Sequence, residues 1–201
     1  LAGTSLESIG LSKCGLNPES LAPLAKAISS MAALARVSVL SNPIGIDGAD
    51  ALIEVFEQNT NLRTLLGIEE GITEVNLSKK NVDPGQAKIL ASEMKAGRAA
   101  AAVAHISISG NMITGSTNVG SRSAKYDLDL SGIIAFGKVA AVSKTLTSID
   151  LSNCGIAAAG IAEVTKFISA EAAVAHIDIS TAIIGEAGPV LVDAMKLCTS
   201  L

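Results

Sequence analysis

A spacing of 28 residues constrains this chain more than any other feature. It separates Leu6 from Leu34, Leu34 from Leu62, and Leu146 from Val174. With the first residue of a unit counted as position 0, apolar residues recur at positions 3, 5 and 10. The first unit carries Leu6, Ile9, Leu11 and Leu16, and the second Leu34, Val37, Val39 and Ile44. The third carries Ile72, Val75, Leu77 and Val82, and the fourth Val103, Ile106, Ile108 and Ile113. The fifth carries Leu146, Ile149, Leu151 and Ile156, and the sixth Val174, Ile177, Ile179 and Ile184. Alternation over positions 3 to 5 is the period of a strand. A unit this short cannot bury its apolar face alone, so neighbouring units have to stack on one another.

The second half of each unit changes period. Positions 15, 18 and 22 hold Leu21, Leu24 and Ile28, then Ala49, Leu52 and Phe56, then Ala87, Leu90 and Met94, and in the fifth unit Ile161, Val164 and Ile168. Steps of three and four mark one face of a helix. Gly48, Gly132, Gly160 and Gly188 precede these runs at position 14. Each unit therefore reads as a short strand, a turn and an amphipathic helix. Two places break the rhythm. Val103 to Leu146 spans 43 residues, and an insertion at about 114–129 restores Ile133, Phe136 and Ala140 to the helical columns. After Leu62 a unit starts and aborts, leaving an irregular connection at about 63–71 before the fresh start at Ile72. The expectation is one domain over 1–201, with about six units.

Position 8 reads Cys14, Asn42, Lys80, Asn111, Cys154 and Ala182. An inward-facing Asn there can satisfy backbone groups that the turn would strand, and Cys can do a weaker version. Units of about 28 residues with true helices, alternating Asn and Cys at this position, resemble the ribonuclease-inhibitor-like leucine-rich repeats. That class includes the repeat domains of Nod-like receptors and of the Ran GTPase-activating protein. The resemblance runs from Leu6 to Met195; Lys80 and Ala182 depart from the alternation. It implies an α/β fold: a leucine-rich-repeat solenoid, or horseshoe, with parallel strands on the concave face and helices on the convex face.

Composition removes several classes. The net charge is −4, the pI about 5.2, and no basic run occurs, so nucleic acid is not the expected partner. Mean hydropathy is +0.48, but charges or glycines interrupt each apolar stretch short of the roughly 20 residues of a spanning helix. Three cysteines, Cys14, Cys154 and Cys198, do not make a disulfide framework. Cys14 and Cys154 lie four strand spacings apart, roughly 19 Å, too far to bridge. A reducing intracellular compartment, the cytoplasm, is the expected setting.

The candidate contact residues come from the strand columns and the insertion. Positions 2, 4, 6 and 7 should project from the strands, which nominates Arg36, Glu74, Asn76, His105, Asp150, Asn153, His176 and Asp178. The insertion adds Arg122, Lys125 and Tyr126, the only Tyr in the chain; long loops on rigid scaffolds often carry function. The strand face is small, hydroxylic and mixed in charge, with no aromatic residue and only one Arg, whereas tight interfaces are usually anchored by Trp, Tyr or Arg. His105 and His176 share a column but sit two strands apart, roughly 10 Å, too far to share a zinc ion bound at about 2.1 Å. Asp150 and Asp178 fall on adjacent strands, and with His176 and Ser152 nearby they are the one arrangement that could suggest catalysis. No phosphate-binding loop, dinucleotide turn or metalloprotease motif occurs.

The expected function is therefore a non-enzymatic, protein-binding scaffold or assembly subunit, with no metal and no cofactor. The resemblance implies two alternatives: a GTPase-regulating protein of the Ran GTPase-activating type, and the sensor repeat domain of a Nod-like receptor. Neither end of the sequence reads as a polar cap, so the chain is expected to be a fragment of a longer one or a subunit of a larger assembly.

Overall fold

The computed structural model describes residues 5–167 and 173–198, the last three in backbone only. Strands and helices alternate along it. The order is β1 (Ser8–Gly10), α1 (Pro18–Ser29), β2 (Arg36–Ser38), α2 (Gly45–Gln58), β3 (Glu74–Asn76), α3 (Pro84–Ala96), β4 (His105–Ser107), α4 (Ser131–Ala140), β5 (Ser148–Asp150), α5 (Ala158–Val164), β6 (His176–Asp178) and α6 (Gly188–Cys198). Single 3₁₀ turns follow α5 at Thr165–Phe167 and precede α6 at Gly185–Ala187. The fold is mixed α/β, with all named strands parallel in two small sheets, β1-β2 and β3-β4-β5-β6.

The strands occupy positions 2 to 4 of their units, and pairing preserves unit register: Ser8 faces Arg36, and Glu74, His105, Ser148 and His176 form one line across the second sheet. Their central residues, Val37, Val75, Ile106 and Ile149, are buried, as are Leu34, Ile44, Val103, Ile113, Leu146 and Ile156 from positions 0 and 10. Helices supply the opposite wall. Ala49, Leu52 and Phe56 of α2, Ala87 and Leu90 of α3, and Ile133, Phe136 and Ala140 of α4 are buried against the strands. Ile168, expected in the same column of the fifth unit, lies outside the described residues. Three of the four aromatic residues are core fillers: Phe56, Phe136 and Phe167 are fully buried, and the last two meet edge to face with centroids 5.8 Å apart.

Helix starts follow capping chemistry. Asn17 accepts the Ser20 N–H while the Ser20 hydroxyl accepts that of Asn17, and Pro18 occupies the first turn. Asp83 accepts the Gln86 N–H and also reaches the Gly45 N–H of the preceding unit. Glycine lets α4 start close to its neighbour: a Cβ on Gly132 would lie 2.4 Å from the Pro84 carbonyl oxygen.

Position 8 behaves as its chemistry requires. Asn42 Nδ2 donates to the carbonyls of Leu11, Val39 and Leu40 while Oδ1 accepts from Leu16 N. Asn111 repeats the pattern with Leu77, Ile108, Ser109 and Val82. Each Asn ties its own turn to the unit before it. The Cys154 thiol donates to Ile108 O at 3.2 Å, the weaker version. Lys80 is different: its side chain is exposed, because an ammonium cannot be buried without a partner.

Between the two sheets, the irregular segment still pairs with β2. Thr64 bridges Arg36 in parallel and Leu66 bridges Ser38, while Leu62, Leu65, Leu66 and Ile68 are buried. No strand of the second sheet takes up the amides of Leu65 and Leu66. A side chain does so instead: the Glu93 carboxylate, on α3, accepts them at 2.6 and 2.8 Å and accepts the Thr64 hydroxyl at 2.8 Å. Arg98 closes the other side of this junction, with Nη1 donating to the carbonyls of Phe56, Asn59 and Leu62 and the guanidinium 4.2 Å above the Phe56 ring.

Candidate functional site

The exposed edge of the strand layer carries most of the candidate residues. Glu74 and Asn76 on β3, His105 on β4 and His176 on β6 are exposed, because they alternate with a central residue that is buried in β3 and β4 and half-buried in β6. The register leaves Ser148 between the two histidines, and it sets Asp150 beside Asp178. Arg36 stands apart. It belongs to the first sheet, is half-buried, and its guanidinium donates to Gly67 O at 3.2 Å. It is thus committed to the junction between the sheets rather than to the line of Glu74, Asp150 and Asp178.

The Asn76, Asp150 and Asp178 side chains of this face are fixed by local turns. Asn76 Oδ1, Asp150 Oδ1 and Asp178 Oδ1 each accept the N–H of the residue two places on, Ser78, Ser152 and Ser180. Asp150 also accepts the Ser107 hydroxyl at 2.7 Å, and Asp178 the Ser180 hydroxyl at 2.6 Å. Burial pushes the Asp150 carboxyl up, but the hydrogen bonds from Ser152, Ser107 and Ser109 outweigh it and hold it below the usual carboxylate value. The hydrogen bonds from Ser180 do the same for Asp178. Two carboxyls that shared a proton would show one of them raised. These two are both ionised at neutral pH, which suits them to attract a cationic group rather than to exchange protons. Among the described residues no cluster of three or more His, Cys, Asp or Glu is placed to hold a metal ion. Cys154 is buried, and burial pushes its thiol up to about 11, which keeps it protonated and poorly nucleophilic.

Position 7 requires a correction. Lys13, Ser41, Lys79, Gly110, Asn153 and Thr181 do not continue the strands; all six sit in left-handed backbone, with φ between 55° and 71°. The chain turns there, beyond the last residue of each strand. These residues therefore belong to the turns and not to the strands from which they were expected to project.

The turn brings Asn153 to the insertion. A cleft of about 300 Å³ is lined by Val119, Gly120 and Tyr126 from the insertion and by Asn153, Gly155, Thr181 and Ile183 from the turns after β5 and β6. Val119 and Ile183 are 44% and 46% exposed, and Tyr126 is half-buried. Arg122 and Lys125 are exposed, and the Lys125 backbone pairs with Thr117 across the neck of the loop.

The insertion is tied down at several points. Its ends meet where Asp129 N donates to Thr114 O at 2.9 Å. The buried Ser116 hydroxyl donates to Gly155 O at 2.7 Å and accepts from Asp127 N. Asp127 then accepts the N–H groups of Ala157 and Gly160, so the insertion supplies the N-terminal cap of α5. The sequence held a signal for this. The cap column that reads Asn17 in the first unit and Asp83 in the third reads Ala157 in the fifth, and alanine cannot cap.

No protein-family model and no curated protein matches this chain. Among the described residues no helix is long and apolar enough to cross a membrane.

Proposed function

We propose that this chain is a leucine-rich-repeat solenoid of the ribonuclease-inhibitor-like type that binds a protein partner. The contact surface comprises the exposed strand face of β3 to β6 and the cleft beneath the insertion. The six strand–turn–helix units, in constant register within each sheet, support the architecture, and so do the hydrogen bonds of Asn42 and Asn111 at position 8. The fixed insertion carries the binding reading. A loop bound through Ser116 and Asp127 loses little entropy when a partner docks, which favours affinity. It presents Tyr126 and Val119 to a cleft that Ile183 completes, and the strand face carries Asp150 and Asp178 on neighbouring strands. That combination fits a partner segment with an apolar side chain for the cleft and a Lys or Arg for the two carboxylates. Free Cys14 and buried, protonated Cys154 agree with a reducing compartment.

The test is site-specific photo-crosslinking, with benzoylphenylalanine placed in turn at Tyr126, at His176, and at Lys88 on the helix layer. A single adduct obtained from Tyr126 and His176 and not from Lys88 is the expected result. Its loss in Asp150→Arg/Asp178→Arg would place the cationic contact there. Adducts from Lys88 alone would move the interface to the helices and overturn the assignment of the surface.

A further inference from the structure

The helix layer contains a second cleft, unrelated to the surface just described. It measures about 490 Å³ and opens between the C-terminal ends of α3 and α4. Its floor is apolar: Val103 and Ala100 are buried, and Met94 and Val139 are half-buried against the core. Val142, 61% exposed, stands at the rim. Two lysines complete it, Lys95 in the last turn of α3 and Lys138 in the last turn of α4.

Among the described residues neither ammonium has a counter-ion. The ion pairs among the described residues are Arg63–Glu70, Lys88–Asp50 and Lys166–Glu163, and no acidic residue lines the cleft. Lysine at a helix C-terminus is favoured by the helix dipole, which accounts for one such residue on each helix. That preference does not account for an apolar hollow between them, since exposed apolar surface is costly. The volume falls in the range of small-molecule sites, which are mostly apolar with a few polar groups that orient the ligand.

We infer that this cleft binds a small amphiphilic anion, a carboxylate or sulfonate with an apolar body. The body covers Val103, Val139 and Met94, and the acid group lies between Lys95 and Lys138. The charge pattern selects the ligand. A neutral amphiphile of the same size leaves both ammonium groups without a counter-charge, and a cation is repelled by them.

Fluorescence titration with anilinonaphthalene sulfonate tests this directly, with decanoate and decanol as competitors. The expected result on the unmodified chain is saturable binding at one site, displaced by decanoate and not by decanol at the same concentration. Lys95→Gln/Lys138→Gln weakens it about tenfold, and Ala101→Phe, which fills the hollow from an exposed position, removes it. Equal displacement by decanol, which needs no variant, would overturn the inference. So would unchanged dye binding in both variants, which would place the dye elsewhere, for example on the exposed Val190, Val192 and Met195 of α6, or no saturable binding at all.

Discussion

Changing pH should reveal how Glu93 holds the junction between the two sheets. Its carboxyl is fully buried, and burial pushes its pKa from 4.5 up to about 7, against the opposing effects of the Leu65 and Leu66 amides, the Thr64 hydroxyl and the charge of Arg36. Between these two values the folded chain holds a proton at Glu93 that the unfolded chain has lost. Unfolding free energy therefore falls as pH rises through that interval and levels off above about 7. Two and a half pH units at about 1.4 kcal/mol each make a loss of roughly 3 kcal/mol. Glu93→Gln is the matching perturbation. Its amide oxygen can accept both backbone N–H groups, its nitrogen can donate to Thr64, and it does not titrate. Urea unfolding followed by circular dichroism from pH 4.5 to 8 should show the variant gaining on the parent by roughly 3 kcal/mol across the window, while other titrating groups cancel in the difference. A difference that stays constant within about 0.5 kcal/mol would mean that Glu93 is ionised in the folded chain throughout, and the reasoning from burial would be wrong.

Three further outcomes follow from individual side chains. Thr181 is β-branched at φ 71°, so Thr181→Gly should raise stability by about 1 kcal/mol in thermal unfolding, despite losing its 3.3 Å bond to Asn153. Asp127→Ala should cost about 1–2 kcal/mol by uncapping α5, with faster amide exchange at Gly160 and Ala157 than in Asp127→Asn; unchanged exchange would remove the capping role. Gly137→Ala should destabilise by about 1–3 kcal/mol, although alanine is the better helix former, because its Cβ would fall 1.9 Å from Phe167 Cε1; a gain in melting temperature would show that the ring moves aside freely.

The parallel strands and the helices were legible because each unit changes period from 2 to 3.6 at fixed positions, and burial along the units follows those columns. The reading failed where backbone geometry and pairing decide. Nothing in the residue types Lys13, Ser41, Lys79 and Thr181 announces left-handed backbone, which is more often signalled by Gly or Asn. Glu93 could not be singled out either: it lies among the polar residues of an amphipathic helix, and only the interrupted pairing at Leu65 and Leu66 gives its carboxylate two buried amides to satisfy. The site was legible in part. The register of His105, Ser148 and His176 and the adjacency of Asp150 and Asp178 came from counting, whereas the meeting of Tyr126 with Asn153 depends on the fold of the insertion.

That fold has a consequence for how this chain can change. The excursion leaves and re-enters its unit through two residues, Thr114 and Asp129, that hydrogen-bond to each other, so the scaffold does not register how far the chain travels in between. Lengthening the tip between Thr117 and Lys125 would cost little more than loop-closure entropy, about 0.6 kcal/mol for each doubling. Provided Ser116 and Asp127 stay in place, the tip is a graft point: foreign recognition sequences can be exchanged there with no repacking of the core beneath.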